Sequence, residues 1–268
     1  MTYDPAPLQT LTLDGRTVHC HVLDAAPSSP HSTPVGLPII LLHGLGCSSD
    51  AWGPTVSVLR DRRVDHAVYI PDMPGFGCSE GPPHALSMEE LADWVVRLMD
   101  VLGITRAHLA GNSMGCQVAL ALAHRHPDRV GGLVLVGPTI GGEPISFGRY
   151  AVGLLRDGWR EPPDYNLALT RMYAQMGVIR YLATTRKMLE NEPLHYTASI
   201  DAPVLVVRGE FDGIIPDRAA RELAASLPHG QFRRLDGTAH ALMFSRPREF
   251  TETALPFWAH AAGASDRE

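Results

Sequence analysis

The chain has 268 residues, 45% of them hydrophobic, and a formal net charge of -6 at pH 7. This length and apolar content are sufficient for the core of one globular domain. No block of Lys or Arg occurs along the sequence, which argues against binding of nucleic acid through its phosphates. No uninterrupted apolar run approaches the roughly 18 residues that a membrane-spanning helix needs, so we expect no membrane insertion.

The N-terminal residues Met1 to Pro5 lack the basic and apolar regions of a secretory signal, so a cytoplasmic location is the default expectation. Two histidine pairs, 19 with 21 and 124 with 126, have no third ligand at a zinc-like spacing. The cysteines are scattered and indicate free thiols rather than a disulfide scaffold: Cys20, Cys47, Cys78 and Cys116. We therefore expect no metal and no cofactor, and we interpret Cys116 as a buried packing residue.

Strand-like runs alternate with helical segments along the chain, which is typical of a mostly parallel sheet with helices on both faces. The chain opens with the runs 8–13 and 18–23 around Asp14-Gly15, a strong hairpin turn, so an antiparallel pair should form one edge of the sheet. The first five of the next six runs should be central strands and the last an outer one: 39–42, 67–70, 107–110, 133–136, 204–207 and 232–235.

Helices are predicted from apolar spacing and from capping and stop residues. Ser87 can cap a helix over 88–102, with Glu90 three positions further on completing a capping box. Proline ends two of the other predicted helices, which cover 113–124, 218–227 and 250–261.

The segment 139–199 interrupts this alternation, because it has no strand-like run but many aromatic residues and methionines. Its apolar residues would fill the small core of a plain helical subdomain. Placed over the carboxyl ends of the strands, the same segment would form a lid on the ligand crevice of a sheet of this kind. We expect an inserted helical cap at 139–199 on a core made of 1–138 and 200–268.

The pentapeptide Gly111-Asn112-Ser113-Met114-Gly115 follows one predicted strand directly and precedes a helix. This is the context that a G-x-S-x-G nucleophile turn requires. Glycines would leave steric room around a strained serine whose hydroxyl is exposed. The helix start would add partial positive charge, with the Met114 N–H as a first oxyanion donor. The alternative is a glycine-rich turn without chemistry.

Three motifs together resemble the α/β-hydrolase superfamily, and the resemblance covers nearly the whole chain. They are His43-Gly44-Leu45-Gly46 after the third strand, Asp72 to Ser79 after the fourth, and the serine turn after the fifth. The resemblance implies an α/β fold with a mostly parallel, eight-stranded sheet, helices on both faces and a helical cap. It also implies that the Leu45 N–H is the second oxyanion donor, and His43 is then structural.

The same resemblance places the acid of a catalytic triad at Asp212, in the loop Arg208 to Pro216 that follows a strand. Glu210 and Asp217 compete for this role, but we interpret the first as a loop residue and the second as a helix cap. His240 follows the last strand-like run, so the order Ser113, Asp212, His240 agrees with the order expected for this fold.

We expect a serine hydrolase that cleaves a carboxylic ester of a small to medium, largely apolar molecule through an acyl-enzyme. Ser113 is the expected nucleophile, His240 the general base and Asp212 the group that orients the base. The expected pocket is mostly apolar, and its residues, besides the oxyanion donors Leu45 and Met114, are Gly44, Asn112, Ile140, Phe147, Trp159, Met172, Ile214, Ala241 and Leu242.

Two alternatives remain open. Asn112 and the upstream motif are similar to the hydrolases that cleave carbon-carbon bonds of vinylogous diketones, the meta-cleavage products. Those enzymes usually carry tryptophan after the catalytic histidine, where this chain has Ala241, and none of Arg171, Arg180 and Arg186 aligns securely with their substrate-binding arginine. The other alternative is a ligand receptor on a hydrolase scaffold. Serine at 113 argues against the dehalogenases and epoxide hydrolases of this fold, which carry aspartate there. Oligomeric state is left open.

Overall fold

The core of the fold is one sheet of eight strands. A computed structural model describes residues 5–26, 36–139 and 147–264. Its strands are β1 (Leu8–Leu13), β2 (Arg16–Leu23), β3 (Ile39–Leu42), β4 (Val68–Pro71), β5 (Ala107–Asn112), β6 (Val130–Val136), β7 (Val204–Gly209) and β8 (Gly230–Leu235). They lie in the order β1-β2-β4-β3-β5-β6-β7-β8.

Strand direction follows the connections. β1 and β2 form an antiparallel hairpin, and β2 pairs antiparallel with β4, whereas all later neighbours are parallel. The hairpin turn places Asp14 at φ 53° and Gly15 at φ 71°, the left-handed region that a two-residue turn of this kind requires. The predicted edge hairpin and the mostly parallel sheet are both confirmed.

Helices cover both faces of this sheet. They are α1 (Gly53–Asp61), α2 (Met88–Val101), α3 (Met114–Arg125), α4 (Phe147–Gly158), α5 (Pro163–Met176), α6 (Val178–Glu190), α7 (Asp217–Ser226), α8 (Leu242–Ser245) and α9 (Pro247–Ala264). The capping box of α2 is present: the Glu90 N–H donates to Ser87 Oγ at 3.2 Å, and the Ser87 N–H donates to Glu90 Oε2 at 2.7 Å.

Alternate residues of the strands face two apolar layers. Leu109 packs with the helices α2, α3 and α7, whereas its neighbour Ala110 packs in the layer of α1 and α9. Trp52 and Trp258 are fully buried in that second layer. A strand that is buried on both faces has no polar side, which is why the central strands read as continuous apolar runs.

The chain between β6 and β7 holds α4, α5 and α6, followed by two single 3-10 turns at Pro193–His195 and Thr197–Ser199. Its described part, 147–199, contains no strand, as expected. Among the described helices of the whole chain, none combines the length and the apolar character needed to cross a bilayer.

Element boundaries differ from the prediction where side chains give little signal. β6 begins at Val130, three residues early, because Gly131 and Gly132 lie in the strand without a side chain to mark it. β8 begins at Gly230 and is half polar, as an edge strand can be. The helix α1 was not predicted, and α9 is longer than predicted, with Pro256 inside it.

Replacing Ser87 with alanine should lower the free energy of unfolding by about 1 kcal/mol, because the N–H groups at the start of α2 lose their side-chain acceptor. Denaturant unfolding followed by circular dichroism measures this. The control is Ser57→Ala in the middle of α1, which should change stability by less than about 0.5 kcal/mol. Equal effects of the two substitutions would contradict a capping role for Ser87.

Candidate active site

Ser113 lies in a strained turn between β5 and α3. Its φ of 53° and ψ of -115° are unusual for a residue with a side chain. A Cβ added to Gly111 would lie 2.4 Å from the carbonyl carbon of Gly115, and one added to Gly115 would lie 2.4 Å from the Leu42 carbonyl oxygen. Both glycines are therefore required by backbone contact, since no side chain could move aside to make room.

His240 and Asp212 meet across the loops that follow β8 and β7. His240 Nδ1 lies 2.9 Å from Asp212 Oδ2. An ionised carboxylate only accepts hydrogen bonds, so Nδ1 carries a proton, and Nε2 is the acceptor when the imidazole is uncharged. The other carboxylate oxygen of Asp212 accepts from the N–H groups of Ile214 and Ile215, each at 2.9 Å. These three bonds fix the orientation of both side chains.

The two groups shift each other's pKa in opposite directions. Burial opposes the charge on Asp212, but the His240 charge and hydrogen bond, with the N–H groups of Ile215 and Ile214, outweigh burial and lower the pKa of that carboxyl. Burial also opposes a charged imidazole, yet Asp212, with smaller contributions from Asp157 and Glu161, raises the pKa of His240 to about 9.

The competing carboxylates lie elsewhere. Glu210 Oε2 accepts from the Gly237 N–H at 2.9 Å, which joins two loops. Asp217 begins α7 and pairs with Arg221 at 2.6 Å. Of the three acids considered from the sequence, Asp212 is the one that contacts His240.

One cavity contains both Ser113 and His240 in its walls, together with Gly44, Leu45, Asn112 and Ile214. The buried Nε2 of His240 has no hydrogen-bond partner within the part of the chain that the structure describes. A Cβ on Gly44 would lie 3.3 Å from Ser113 Cβ, so the loop after β3 runs directly beside the serine.

The predicted oxyanion donors lie on the two backbone segments that flank Ser113. Met114 is the first residue of α3, and the N–H groups of a first helical turn have no partner inside the helix. Leu45 lies on the loop after β3 and lines the cavity. His43, in the same loop, is fully buried: its Nε2 accepts from the Met73 N–H at 3.1 Å, so its Nδ1 donates to the Gly44 carbonyl at 2.9 Å. Its role is structural, as expected.

Several residues expected in the pocket do not line the cavity. Met172, Ala241 and Leu242 are buried in the apolar core instead. Ala241 and Leu242 are buried because the chain turns inward after His240. Met172 is buried because α5 packs on the loop after β3, where the Ser48 N–H contacts Met172 Sδ at 3.2 Å. Trp159 is 90% exposed on the outer side of the insertion. Ile140 lies outside the described residues, and Phe147 is described only as the first residue of α4.

Eight of the fifteen lining residues come from the insertion, and two of these are acids that the sequence analysis missed. Asp157 and Glu161 are 5% and 6% exposed. Their i, i+4 spacing is the one signal in the sequence, but acids at this spacing usually lie on a solvated helix face. The wall on this side is still mostly apolar, with Leu154, Leu169, Tyr165 and Tyr173, but it also contains two acids that were not expected.

Cys116 is fully buried on α3, and its Sγ contacts the Gly111 carbonyl oxygen at 3.1 Å. Burial raises the pKa of the thiol well above its usual range, so it stays protonated and is a poor nucleophile. The packing role expected from the sequence agrees with this position.

A model of the alpha/beta hydrolase fold family matches residues 38–157. A 2-hydroxy-6-oxononadienedioate/2-hydroxy-6-oxononatrienedioate hydrolase of Paraburkholderia phymatum is 30% identical over 248 residues, covering 82% of this chain and 86% of the relative. The chain belongs to the alpha/beta hydrolase fold family.

Other hydrolases are similar to this chain over most of its length. Together with the fold, they indicate that the chain is a hydrolase. A 2-hydroxymuconate semialdehyde hydrolase of a Pseudomonas species is 29% identical, with 88% of this chain and 91% of the relative covered. The crystal structure of the enol-lactonase from Burkholderia xenovorans is 25% identical, with a TM-score of 0.74 over 94% of this chain and 100% of that chain.

The activity of a hydrolase that uses His240 as base should fall as the pH drops through the pKa of that imidazole, because only the uncharged ring can accept a proton. Asp212→Asn removes the largest influence that raises this pKa, so the His240 pKa should move to lower pH and kcat should fall by roughly 10⁴-fold. NMR titration of His240 in a Ser113→Ala background, with and without Asp212→Asn, measures the shift.

The matched control is Asp217→Asn, which removes a carboxylate from the start of α7 and should leave the His240 pKa unchanged. An unchanged pKa in the Asp212→Asn protein would contradict the ion pair described above.

Proposed function

We propose that the chain is a serine hydrolase that cleaves carboxylic esters through an acyl-enzyme, with Ser113, His240 and Asp212 as the triad. One observation carries the proposal. The 2.9 Å bond between Asp212 and His240 Nδ1 leaves Nε2 without a partner among the described residues, in the wall of the cavity that Ser113 also lines. The strained turn at Ser113, which lies in the wall of the cavity, supports the same role.

In the proposed chemistry His240 acts first as base and then as acid in each half of the reaction. His240 Nε2 takes the proton of Ser113 Oγ as the oxygen attacks the ester carbonyl, and then gives it to the departing alcohol. Asp212 stabilises the imidazolium that forms between these steps. The N–H groups of Leu45 and Met114 hold the oxyanion, where loss of one donor typically costs about 2.7–4 kcal/mol. Water then attacks the acyl group with His240 again as base, and the bond to Ser113 Oγ breaks as His240 returns the proton to that oxygen and the acid product leaves.

The names of the relatives favour a second candidate, hydrolysis of a carbon-carbon bond in a dicarboxylate such as an oxononadienedioate. The charges of this cavity favour the ester. The described lining includes Asp157 and Glu161 but no Lys or Arg, so a carboxylate of the substrate would have no lysine or arginine to pair with there and would meet like charge when these acids are ionised.

The arginines that such a substrate would need lie elsewhere. Arg171 is exposed, and Arg186 pairs with Glu190 at 2.6 Å on the surface. The Arg180 guanidinium donates to the carbonyls of Pro82 and His84, at 2.5 and 3.5 Å. The enol-lactonase relative cleaves a cyclic ester by its name, which fits the ester proposal.

The insertion 139–199 is proposed as a lid on the core formed by 1–138 and 200–268. This segment supplies eight of the fifteen residues around the cavity, seven of them from α4 and α5. The cavity has a volume of about 40 Å³, whereas sites that bury small molecules commonly exceed about 300 Å³. A substrate would therefore enter as the insertion moves. The cytoplasmic location stays a prediction.

A fluorophosphonate should label Ser113, because the reagent reacts with a serine whose proton a base removes. Ser113→Ala should lose the label and lower kcat for an aryl ester by roughly 10⁶-fold, with an unchanged melting temperature. Mass spectrometry of the adduct locates it. The control is Ser226→Ala on α7, which should label like the wild type; adduct at another residue, or none, would overturn the triad.

A panel of methyl and aryl esters, set against a vinylogous diketone with a terminal carboxylate, separates the two candidate functions. We expect turnover of esters and little or none of the diketone, since the cavity repels its carboxylate. Steady-state kcat/KM for each compound decides, and turnover of the diketone alone would reverse the ranking.

A further inference from the structure

Two acids of the insertion bind the backbone of the loops that carry the triad. Asp157, near the end of α4, accepts through Oδ1 from the N–H groups of Gly213 at 3.2 Å and His240 at 3.1 Å. Glu161, between α4 and α5, accepts through Oε1 from the Ala241 N–H at 2.6 Å. Each of these donors lies within one residue of Asp212 or His240.

The second carboxylate oxygen of Glu161 has no such donor. Oε2 is buried and has no hydrogen-bond partner among the residues that the structure describes, although Glu161 as a whole is only 6% exposed. A buried carboxylate oxygen without a partner is costly, because the lost hydration is not replaced. Two sources of a donor are at hand: the neighbouring Asp157 carboxyl when it is protonated, and a molecule bound in the cavity, which Glu161 lines together with Ser113 and His240.

The surrounding charges select the kind of donor. The described lining contains two acids and no Lys or Arg. Arg160, the nearest arginine in sequence, is held outside the cavity, where its guanidinium donates to the Phe211 carbonyl at 2.8 Å and lies over the Phe211 ring. The polar amide of Asn166 donates to the Gly158 carbonyl at 2.8 Å. A positively charged or hydroxyl-bearing group would complement this wall, and a carboxylate would be repelled.

Glu161 can adopt the charged form that such a group needs. Burial, opposed by the Ala241 N–H and reinforced by the Asp157 carboxyl, raises the pKa of Glu161 to about 7. A bound ammonium would favour the ionised carboxylate further.

We propose that Glu161 forms a polar subsite that binds a hydrogen-bond donor of the substrate, an ammonium in preference to a hydroxyl. The subsite rests on the proposed ester hydrolysis, because it lies in the same cavity as Ser113. The substrate class is then an ester with an amine or hydroxyl group at a distance from the bond that is cleaved. Asp157 is a positioning residue, since its Oδ1 accepts from the backbone N–H groups of Gly213 and His240.

The test uses straight-chain methyl esters that differ only at the far end, which carries methyl, hydroxyl, ammonium or carboxylate, over a series of chain lengths. The wild type should have its highest kcat/KM with ammonium and its lowest with carboxylate at one matched length. In Glu161→Gln the amide replaces the unpaired acceptor with a donor, and the ammonium-to-carboxylate ratio of kcat/KM should fall at least about tenfold, which corresponds to about 1.4 kcal/mol.

The ammonium-to-carboxylate ratio of kcat/KM separates a loss of substrate binding at Glu161 from general damage to the structure. The control is Glu190→Gln, an exposed acid of α6, which should keep the wild-type ratio. A Glu161→Gln protein in which all four esters lose the same factor would overturn the subsite and leave Glu161 with a structural role only. A wild type that cleaves the esters without preferring a donor would overturn the subsite while the proposed function stands.

If no ester is turned over, calorimetry on Ser113→Ala still decides, with alkylammonium and alkanoate ions of matched length as ligands. Tighter binding of the ammonium, lost in the double variant with Glu161→Gln, would support the subsite although the proposed ester hydrolysis had failed. Equal binding, or tighter binding of the alkanoate, would overturn it.

Discussion

Three carboxylates buried at one edge of the sheet, Asp212, Asp157 and Glu161, depend on backbone N–H groups for their solvation. Five such donors, from residues 213, 214, 215, 240 and 241, replace the water that these acids lose on folding. Buried charge is tolerated only when it is paired and hydrogen-bonded. The donors all belong to the loops after β7 and β8, so satisfying the acids also fixes the two loops that carry Asp212 and His240.

This arrangement couples the segment 147–199 to Asp212 and His240. Asp157 lies on α4 and accepts hydrogen bonds from the N–H groups of Gly213 and His240. A displacement of that helix away from the core would therefore remove an acceptor from both loops at once. The bond between Asp212 and His240 is independent of the insertion and would persist. Movement of the insertion would therefore change the charge around His240 more than its orientation, since Asp157 and Glu161 each contribute to its raised pKa.

The sequence predicted those parts of the site that local backbone chemistry dictates. The turn at Ser113 needs glycine at 111 and 115 because a Cβ there would meet backbone atoms, and such a requirement leaves a motif. The central strands were predictable because burial on both faces requires continuous apolar runs. Met172 and Trp159 were placed wrongly in the pocket because the direction of a side chain in the insertion depends on how its helices pack, and no short motif encodes that packing. Ala241 and Leu242 were placed wrongly because the chain turns into the core directly after His240.

The same limit explains why a hydrolase could be predicted from the sequence more readily than its substrate. One triad serves many substrates on this fold, and an apolar pocket distinguishes molecules that differ by one methylene only about 10- to 200-fold. A polar group that must find a partner discriminates more strongly, because the wrong substrate leaves it buried and unsatisfied. In the proposed subsite, specificity therefore depends less on the aromatic residues of the insertion, such as Trp159, than on Glu161. Its Oε2 has no hydrogen-bond donor among the described residues.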